Sequence, residues 1–167
     1  NIDDKLITGV CSLDISKCFD SLDHQILIQK LEWHGVLDSE LIWFKNYLKD
    51  RYQVTKSNGS VSKPLKVATG VPQGSVLGPL LFILYANDFS QYIKNSSCNM
   101  WADDNLLYVT GNTIHEVQTK LQETTDDANY WYKKNKLAIN VPKCNIMTVS
   151  SHQKKIEKPL EISLNDV

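Results

Sequence analysis

Two stretches of this sequence decide its fold: LDISKCFD at residues 13–20 and MWADDNLLY at residues 100–108. Each places carboxylates where an apolar strand gives way to a turn, with Asp14 in the first stretch and Asp103 and Asp104 in the second. Carboxylates that are crowded at strand ends repel one another and lose hydration when they are covered, so bringing them together usually requires a cation. The function therefore depends on whether these two strand ends meet in the fold.

The composition is typical of one globular domain. The 167 residues are 42% hydrophobic and 22% charged, which is enough to bury a core. Eighteen basic and nineteen acidic residues give a net charge of −1, which argues against a surface that binds nucleic acid by bulk electrostatics. The four cysteines form no zinc or disulfide spacing, and we expect them to be reduced in an intracellular protein of the nucleus or the cytoplasm.

The longest apolar run and the first residues set two further limits. The run at residues 76–86 is about half as long as the roughly 20 residues that span a bilayer, so we expect no membrane partner. The opening residues NIDDK lack an initiator methionine and the pattern of a signal peptide. We therefore expect a piece of a longer polypeptide.

Hydrophobic periodicity and turn signals predict elements in the order β-α-α-β-β-α-β-β-α-β-β. Asn58-Gly59 favours a hairpin turn, and Thr113 with Glu116 forms a capping box that starts a long amphipathic helix. The predicted strands cover residues 9–15, 52–57, 61–69, 99–103, 106–110, 145–149 and 160–164. The first predicted helix begins at Asp20 or Ser21 and ends near Gly35. The other predicted helices cover residues 39–50, 77–85 and 114–131.

This order indicates an α+β fold in which helices pack on one face of a largely antiparallel sheet. The second hairpin is expected to turn at Asp104-Asn105, because both residue types tolerate turn conformations. A sheet of this order could place the first strand beside that hairpin, so that Asp14 faces Asp103 with Asp104 adjacent. Such a cluster suits two hard cations, and Mg²⁺ fits best because all the ligands are oxygen.

Each candidate also has an ordinary structural interpretation. The acidic pair could be only a hairpin turn, and the GVPQGS loop at residues 70–75 could be only a helix entry capped by Ser75. Phe19 taken alone is more often a core residue, and Lys143 taken alone is more often a solvated lysine. The functional alternative is that the loop backbone allows the close approach of a planar ligand, with Gln73 as a polar side chain that contacts it.

Read together, these segments resemble the reverse transcriptase domain of non-LTR retrotransposons, from about Thr8 to Ser150. Residues 13–24 are similar to the first palm motif of that family, residues 70–88 to its second and residues 101–104 to its third. The fourth motif is matched by Trp131, Asn135, Lys136, Leu137, Asn140 and Lys143. Four ordered motifs at this spacing are highly specific and outweigh the separate structural interpretations.

The resemblance implies RNA-templated DNA synthesis, in which a primer 3′-hydroxyl attacks the α-phosphate of a deoxynucleoside triphosphate and releases pyrophosphate. The implied partners are an RNA template, a DNA primer and a dNTP, and the implied cofactor is a pair of Mg²⁺ ions, with Mn²⁺ as a substitute. By position, Asp14 and Asp103 would hold the metals and Asp104 would tune the site. Lys143 would protonate the pyrophosphate or neutralise its charge.

The resemblance also implies the substrate contacts. Phe19 takes the position of a sugar gate, where a ring under the deoxyribose leaves no room for a 2′-hydroxyl. The sequence departs from the family at Trp101, where Tyr or Phe is usual, at Cys18, where Ala is common, and at Cys144, where Thr is common; none of these removes a metal ligand. Nucleotide contacts are implied for Ile15, Ser16, Lys17, Cys18, Phe19, Gln73 and Gly74, and primer or template contacts for Pro72, Trp101 and Ala102.

The extent of the match implies one fragment over residues 1–167, a polymerase palm with partial fingers and no thumb. The missing fingers and thumb, and an endonuclease segment of the same polyprotein, would then be partners, and the isolated chain is expected to be inactive. One alternative is an inactive retrotransposon-derived remnant that serves as an interaction module. A second alternative is a phosphoacceptor receiver domain, but that class needs an early acidic pair and a parallel sheet.

Overall fold

The structure is a computed structural model that describes residues 6–94, 96–151, 154, 156 and 158–164. Residues 1–5, on which the expectation of a longer polypeptide rests, lie outside the described residues. The chain divides into two compact units. We call residues 1–16 with 88–167 the sheet unit and residues 17–87 the helical unit.

The described elements are a mixture of helices and antiparallel strands, in agreement with the predicted α+β class. In chain order they are β1 Ile7–Asp14, α1 His24–Trp33, α2 Asp38–Leu48, β2 Tyr52–Gln53, β3 Lys56–Ser57, β4 Ser60–Val61, β5 Leu65–Lys66, α3 Leu77–Ala86, α4 Phe89–Tyr92, β6 Ser97–Trp101, β7 Asp104–Gly111, α5 Ile114–Lys134, a 3₁₀ helix Val141–Lys143 and β8 Asn145–Val149. Within the part of the chain that the structure describes, no helix is long and apolar enough to cross a membrane.

The sheet unit is built on four antiparallel strands in the order β6-β7-β1-β8. The first strand therefore lies beside the hairpin, as predicted. Along β1 the buried residues Ile7, Cys11 and Leu13 alternate with the half-buried Val10 and Ser12, as expected when helices cover one face of a sheet. An antiparallel sheet excludes the receiver-domain alternative, which requires parallel strands.

Helix α5 packs on the buried face of β1 and β7. The predicted capping box is present: Thr113 Oγ1 accepts a hydrogen bond from the Glu116 N–H at 3.1 Å, and the Glu116 carboxylate accepts one from the Asn112 N–H at 2.8 Å. Gly9 lets the helix lie close to β1, because a Cβ at this position would be only 2.5 Å from Val117 Cγ1. The packing of α5 on the sheet therefore requires glycine, which has no side chain, at position 9 of β1.

The last described segment differs from its prediction. Residues 160–164 were expected to form a strand, but they pair with no strand among the described residues. Instead, the Gln122 side chain on α5 donates to the Ser163 carbonyl at 2.8 Å and accepts from the Ser163 N–H at 2.8 Å. The amide side chain of Gln122 thus makes the backbone hydrogen bonds that a neighbouring strand would otherwise make. Leu160, at the start of the same segment, is buried. Periodicity predicts extended backbone, but it does not identify the partner.

In the helical unit, α1 starts later than predicted. Asp23 is its N-cap, and the Asp23 carboxylate accepts hydrogen bonds from the N–H groups of Gln25 at 2.9 Å and Ile26 at 3.1 Å. The predicted caps Asp20 and Ser21 are therefore wrong. Both residues donate their N–H groups to a preceding turn carbonyl and so belong to a tight turn before the helix.

The predicted long hairpin of this unit is confirmed only near its tip. β3 pairs with β4 around Asn58 and Gly59, which adopt φ angles of 47° and 83°, as a two-residue hairpin turn requires. The outer part is a separate short ladder between β2 and β5. Between the two ladders the Ser62 N–H donates to the Thr55 carbonyl at 2.9 Å, and the Ser62 hydroxyl accepts the Thr55 N–H at 2.9 Å, so a side chain takes the place of one ladder carbonyl.

Helix α3 is less buried than its composition predicts. Leu81, Phe82 and Tyr85 are buried, but Leu80 and Ile83 are 48% and 58% exposed. Helix α3 packs against α1, and the side of α3 that carries Leu80 and Ile83 stays exposed because one neighbouring helix covers only part of its surface. The expectation of an all-round buried helix is therefore wrong. The short helix α4, which follows in the sheet unit, was not predicted.

Candidate active site

The register of β1 and β7 brings the acidic ends of the two stretches together at one end of the sheet. Asp14 lies directly opposite Asp104, and the next pair is Leu13 with Asn105. Directly opposite residues of antiparallel strands have Cβ atoms about 4.5–5.5 Å apart. The two strand ends therefore meet, and two carboxylates lie together at one end of the sheet. We call this end, with Asp14, Asp103 and Asp104, the acidic edge.

The turn that carries the acidic pair lies two residues earlier than predicted. Trp101 pairs with Asp104, so Ala102 and Asp103 form the turn between β6 and β7. The strand partner of Asp14 is consequently Asp104, whereas Asp103 stands at the tip. Trp101 is 76% exposed beside this edge.

Asn105, the other half of the predicted tip, is a core residue. Only 1% of its surface is exposed, and its amide nitrogen donates to the buried Tyr132 hydroxyl on α5 at 2.9 Å. The backbone strain of the turn falls on Ala102, whose φ of 55° lies in the left-handed region. Turn propensity favoured Asn105 at the tip, but its hydrogen bond to a residue 27 positions away keeps it in the strand.

Asp14 is largely covered, with 14% of its side chain exposed. Its Oδ2 lies 3.5 Å from the Lys143 ammonium, and its backbone carbonyl accepts the Asn140 N–H at 2.8 Å. The Lys143 side chain is 70% exposed, so this pair contributes little to stability. Its position is more informative, because it places a cation next to a largely covered carboxylate.

Two thiols lie close to this edge. Cys11 and Cys144 line a small cavity of about 170 Å³. Burial raises the pKa of the Cys11 thiol to about 11, and burial also raises the pKa of Cys144. Both thiols are therefore neutral near pH 7 and add no negative charge beside Asp14. Cys98 and Cys18 are free thiols as well.

The donor set of this edge suits Mg²⁺. Asp14, Asp103 and Asp104 offer only carboxylate oxygens, the ligands that hard cations prefer. The described residues contain no group of three or more His, Cys, Asp or Glu side chains placed to hold one ion. Mg²⁺ is usually bound by one or two carboxylates, with waters and substrate phosphates completing six ligands, so the residues present fit that kind of site.

The residues that follow Asp14 are tied to the sheet unit. Ile15 is 2% exposed and pairs with Ile139, and the Ser16 N–H donates to the Ala138 carbonyl at 2.8 Å. The Ser16 N–H is therefore already engaged within the sheet unit, and the nucleotide contact that the resemblance implies for Ser16 stays a prediction. Its partner is far away in the chain, so no local pattern could show this bond.

The helical unit carries the remaining candidates, beginning with Phe19. Cys18 is buried, and Lys17 has a left-handed φ of 49° that forms the turn before Phe19. The Phe19 ring is half-buried and lies 5.3 Å from the buried Phe82 ring at an angle of 41°. Phe19 therefore has both the core contact that its residue type predicts and an accessible part that a substrate could meet.

The Gly-Pro-Gln-Gly loop is anchored by a residue that the sequence did not connect to it. The Gln73 amide nitrogen donates to both carboxylate oxygens of Asp20 at 3.0 Å. Gly70 adopts a φ of 82°, and a Cβ there would lie 2.6 Å from the Asp20 backbone. Pro72 is half-buried, while Gly74 is exposed, with a φ of 76° and open space around it. The first glycine is thus required for packing within the chain, whereas Gly74 faces open space.

Comparison with solved structures identifies the class of fold. The chain superposes on apo telomerase from Candida tropicalis with a TM-score of 0.64 and 14% identity, covering 84% of this chain and 28% of that one. It superposes on telomerase from Candida albicans in complex with a telomeric RNA fragment with a TM-score of 0.62 and 17% identity, covering 84% and 28%. The chain therefore shares its fold with part of these telomerases.

Sequence comparison gives the family. The reverse transcriptase (RNA-dependent DNA polymerase) family matches residues 2–160. The chain is 32% identical over 154 residues to the probable RNA-directed DNA polymerase from transposon BS of Drosophila melanogaster, covering 84% of this chain and 16% of that protein. It is 29% identical over 160 residues to the RNA-directed DNA polymerase from mobile element jockey of Drosophila funebris, covering 90% and 17%.

The chain belongs to the reverse transcriptase family, and its relatives are polymerases of non-LTR retrotransposons, as the four motifs indicated. It spans only about a sixth of the length of these relatives.

Proposed function

We propose that this chain carries the polymerising centre of an RNA-directed DNA polymerase, the palm with part of the fingers. In this reaction the 3′-hydroxyl oxygen of a DNA primer forms a bond to the α-phosphorus of a dNTP, the bond to the β-phosphate oxygen breaks, and pyrophosphate leaves. An RNA template selects the dNTP. The observation that carries the proposal is the pairing of Asp14 with Asp104, beside the Asp103 turn, in a chain of this family.

The proposed metal ligands are Asp14 and Asp103, with Asp104 as a supporting carboxylate. Two bound Mg²⁺ ions would lower the pKa of the attacking hydroxyl and stabilise the charge of the leaving group. Because Lys143 is only 3.5 Å from Asp14, its ammonium neutralises that carboxylate in the metal-free protein. We propose that Lys143 then interacts with the leaving pyrophosphate, to which it can donate a proton.

The substrate contacts are proposed from the resemblance and the local geometry. Phe19 would exclude a 2′-hydroxyl, and the Phe82 ring behind it would keep it in place. Gln73 and Gly74, together with Lys17 and Cys18, would contact the nucleotide. Pro72, Trp101 and Ala102 would lie on the primer or template side.

The proposal can be tested in a hybrid polymerase, in which this chain replaces its aligned 160-residue stretch in the jockey polymerase. We expect Mg²⁺-dependent extension of a DNA primer on an RNA template, and at least a hundredfold loss on Asp103→Asn, on the order of the effect of removing an electrostatic contact to the reacting centre. Glu123→Gln, which removes an exposed carboxylate on α5, is the matched control and should leave extension unchanged. A hybrid that extends primers equally well with Asp103→Asn would show that the metal assignment is wrong.

We propose further that the isolated 167-residue chain does not extend primers. Its net charge of −1 provides little of the electrostatic attraction on which polymerases depend to hold a template and primer. Processive synthesis by the isolated chain at physiological salt would contradict this.

A further inference from the structure

Tyr132 on α5 is a buried residue close to the acidic edge. Only 1% of its surface is exposed, and its ring centroid lies 5.6 Å from that of Phe89 and 5.4 Å from that of Trp131. A ring that is enclosed in this way keeps one orientation, because a different rotamer would need space that a packed core does not have. The Tyr132 hydroxyl is therefore a fixed point in the sheet unit.

The backbone of Tyr132 is connected to the end of β1. Its carbonyl accepts the Leu137 N–H at 2.9 Å, which closes the end of α5. Further along the same segment, the Asn140 N–H donates to the Asp14 carbonyl at 2.8 Å. The segment from Tyr132 to Asn140 thus joins the end of α5 to the strand end that carries Asp14.

The Tyr132 hydroxyl holds the first buried residue of β7. Asn105 is 1% exposed, and its amide nitrogen donates to that hydroxyl at 2.9 Å. The amide oxygen Oδ1 of Asn105 is buried and has no hydrogen-bond partner among the described residues. The amide group therefore depends on a single hydrogen bond. Without the hydroxyl, both polar atoms of the amide would be buried and unpaired, which is costly in a folded chain.

Asn105 has a local alternative to its buried position. Asparagine and aspartate are unfavourable in strands and favourable in turns, so the sequence favours a turn at Asp104-Asn105. The structure has the turn at Ala102 and Asp103 instead. Ala102 adopts a left-handed φ of 55° there, a conformation that costs alanine energy. The hydrogen bond to Tyr132 opposes both of these local preferences.

The position of this turn decides which carboxylate lies opposite Asp14. With Asn105 paired to Leu13 in the strand, the next pair is Asp14 with Asp104. Successive residues of a strand point to opposite faces, so an inward Asn105 directs Asp104 away from α5, to the same face as Asp14. If the turn moved to Asp104-Asn105, Asp104 would leave the ladder and this pair would be lost.

We propose that Tyr132 is a positioning residue for the acidic edge. Its hydroxyl, acting through Asn105, keeps the hairpin turn in place and so keeps Asp104 opposite Asp14. The consequence for metal binding rests on the proposed function, whereas the position of the turn does not.

Nuclear Overhauser effects in the 167-residue chain, without metal, test the pairing directly. The unsubstituted chain should show a backbone contact between Asp14 and Asp104 and another between Cys11 and Leu107, which are paired further along the same ladder. Tyr132→Phe should abolish the first contact and retain the second, because only the end of the ladder depends on the hydroxyl. A folded Tyr132→Phe chain that retains the contact between Asp14 and Asp104 would overturn the proposal.

Tyr130→Phe is the matched control. It removes a hydroxyl from the same helix, at a tyrosine that is 53% exposed, and it should retain both contacts. If Tyr130→Phe also abolishes the contact between Asp14 and Asp104, the effect is not specific to Tyr132 and the proposal is wrong.

Asn105→Leu, added to Tyr132→Phe, separates positioning from general stability. Leucine favours the core and has no amide that needs a partner, so the double variant should recover the contact between Asp14 and Asp104. The same recovery is expected if Tyr132→Phe alone does not fold by circular dichroism. A double variant without this contact would overturn the proposal, because the need of Asn105 for a partner would not be the cause.

Mn²⁺ binding measures the consequence for the proposed metal site. Broadening of the amide resonances next to Asp14 and Asp103 should require about tenfold more Mn²⁺ in Tyr132→Phe, the effect of disturbing residues that orient metal ligands. In Tyr130→Phe the required concentration should change by less than about twofold. If the contact between Asp14 and Asp104 is lost but the required Mn²⁺ concentration is unchanged, the metal assignment is wrong and the positioning role of Tyr132 stands. The two proposals can therefore fail separately.

Discussion

At the scale of single residues, Phe19 shows that one ring can make a core contact and still be partly accessible. One part of its ring packs near Phe82, and the rest is accessible. A gate of this kind works only if the ring is held in place, because a mobile ring would move away from a ribose. The buried Phe82 provides that support.

We expect Phe19→Val in the hybrid polymerase to relax discrimination against ribonucleotides. A smaller side chain makes room for the 2′-hydroxyl, so the ratio of kcat/KM for dNTP to that for rNTP should fall at least about tenfold. Phe44→Val, at another half-buried phenylalanine of the helical unit, is the control and should leave the ratio unchanged. An unchanged ratio with Phe19→Val would remove Phe19 from the substrate site.

Cys11 should make stability depend on alkaline pH. Burial raises the pKa of its thiol from 9.0 to about 11, so the folded chain holds this proton more tightly than the unfolded chain. The stabilisation is complete below pH 9 and is lost as the pH rises toward 11, by about 1 kcal/mol between pH 8 and pH 10. Burial also raises the pKa of Tyr132, which acts in the same direction at higher pH.

Urea unfolding at pH 8 and pH 10 measures this contribution. The difference between the two free energies of unfolding should be smaller by about 1 kcal/mol in Cys11→Ala than in the unsubstituted chain. The same pH dependence in both proteins would mean that other groups cause it.

At the scale of elements, the packing of α5 on β1 depends on Gly9. A methyl group there would meet Val117 at 2.5 Å, Leu160 at 3.1 Å and Leu121 at 3.3 Å, all of them apolar side chains packed on one face of the sheet. We expect Gly9→Ala to lower the free energy of unfolding by ~1–3 kcal/mol, the cost of forcing a core apart. Ser12→Ala, on the other face of β1, should change it by less than about 0.5 kcal/mol in the same urea titration. Similar effects of both substitutions would mean that α5 does not approach β1 this closely.

Elements with strong local signals were predictable. The Asn58-Gly59 turn, the Thr113 cap of α5 and the first strand depend on neighbours in sequence, and all three are confirmed. The acidic ends were predictable as candidates because the motifs are ordered along the chain. Their pairing partners were not, because a shift of the turn by two residues puts Asp104 instead of Asp103 opposite Asp14.

The features that the sequence did not reveal depend on distant partners. Asn105 lies in the core because of Tyr132, and Gln73 is fixed by Asp20. Gln122 satisfies the backbone of Ser163, in a segment that was predicted to be a strand. In each case a side-chain hydrogen bond over 27 to 53 residues outweighs a local preference.

At the scale of the whole molecule, the charge and the site are consistent with a polymerase segment rather than a free-standing nucleic-acid-binding protein. The net charge of −1 leaves the proposed binding to a few placed cations, such as Lys17 and Lys143. Relatives about six times longer supply other segments in their own chains. The proposed activity would belong to a protein of that length, to which this chain would contribute the proposed metal ligands.

The strand order also has a consequence for handling the chain in solution. β8 is an outer strand of the sheet, and it exposes Ile146 and Met147, which are 40% and 56% accessible. An outer strand with apolar side chains can accept a strand from another molecule and so start aggregation. We expect sedimentation velocity to show self-association that grows with concentration and is suppressed by Met147→Lys but not by Val54→Lys, at an exposed valine of the helical unit. The outer strand β8, which pairs with the strand that carries Asp14, is thus the surface at which we expect this chain to aggregate.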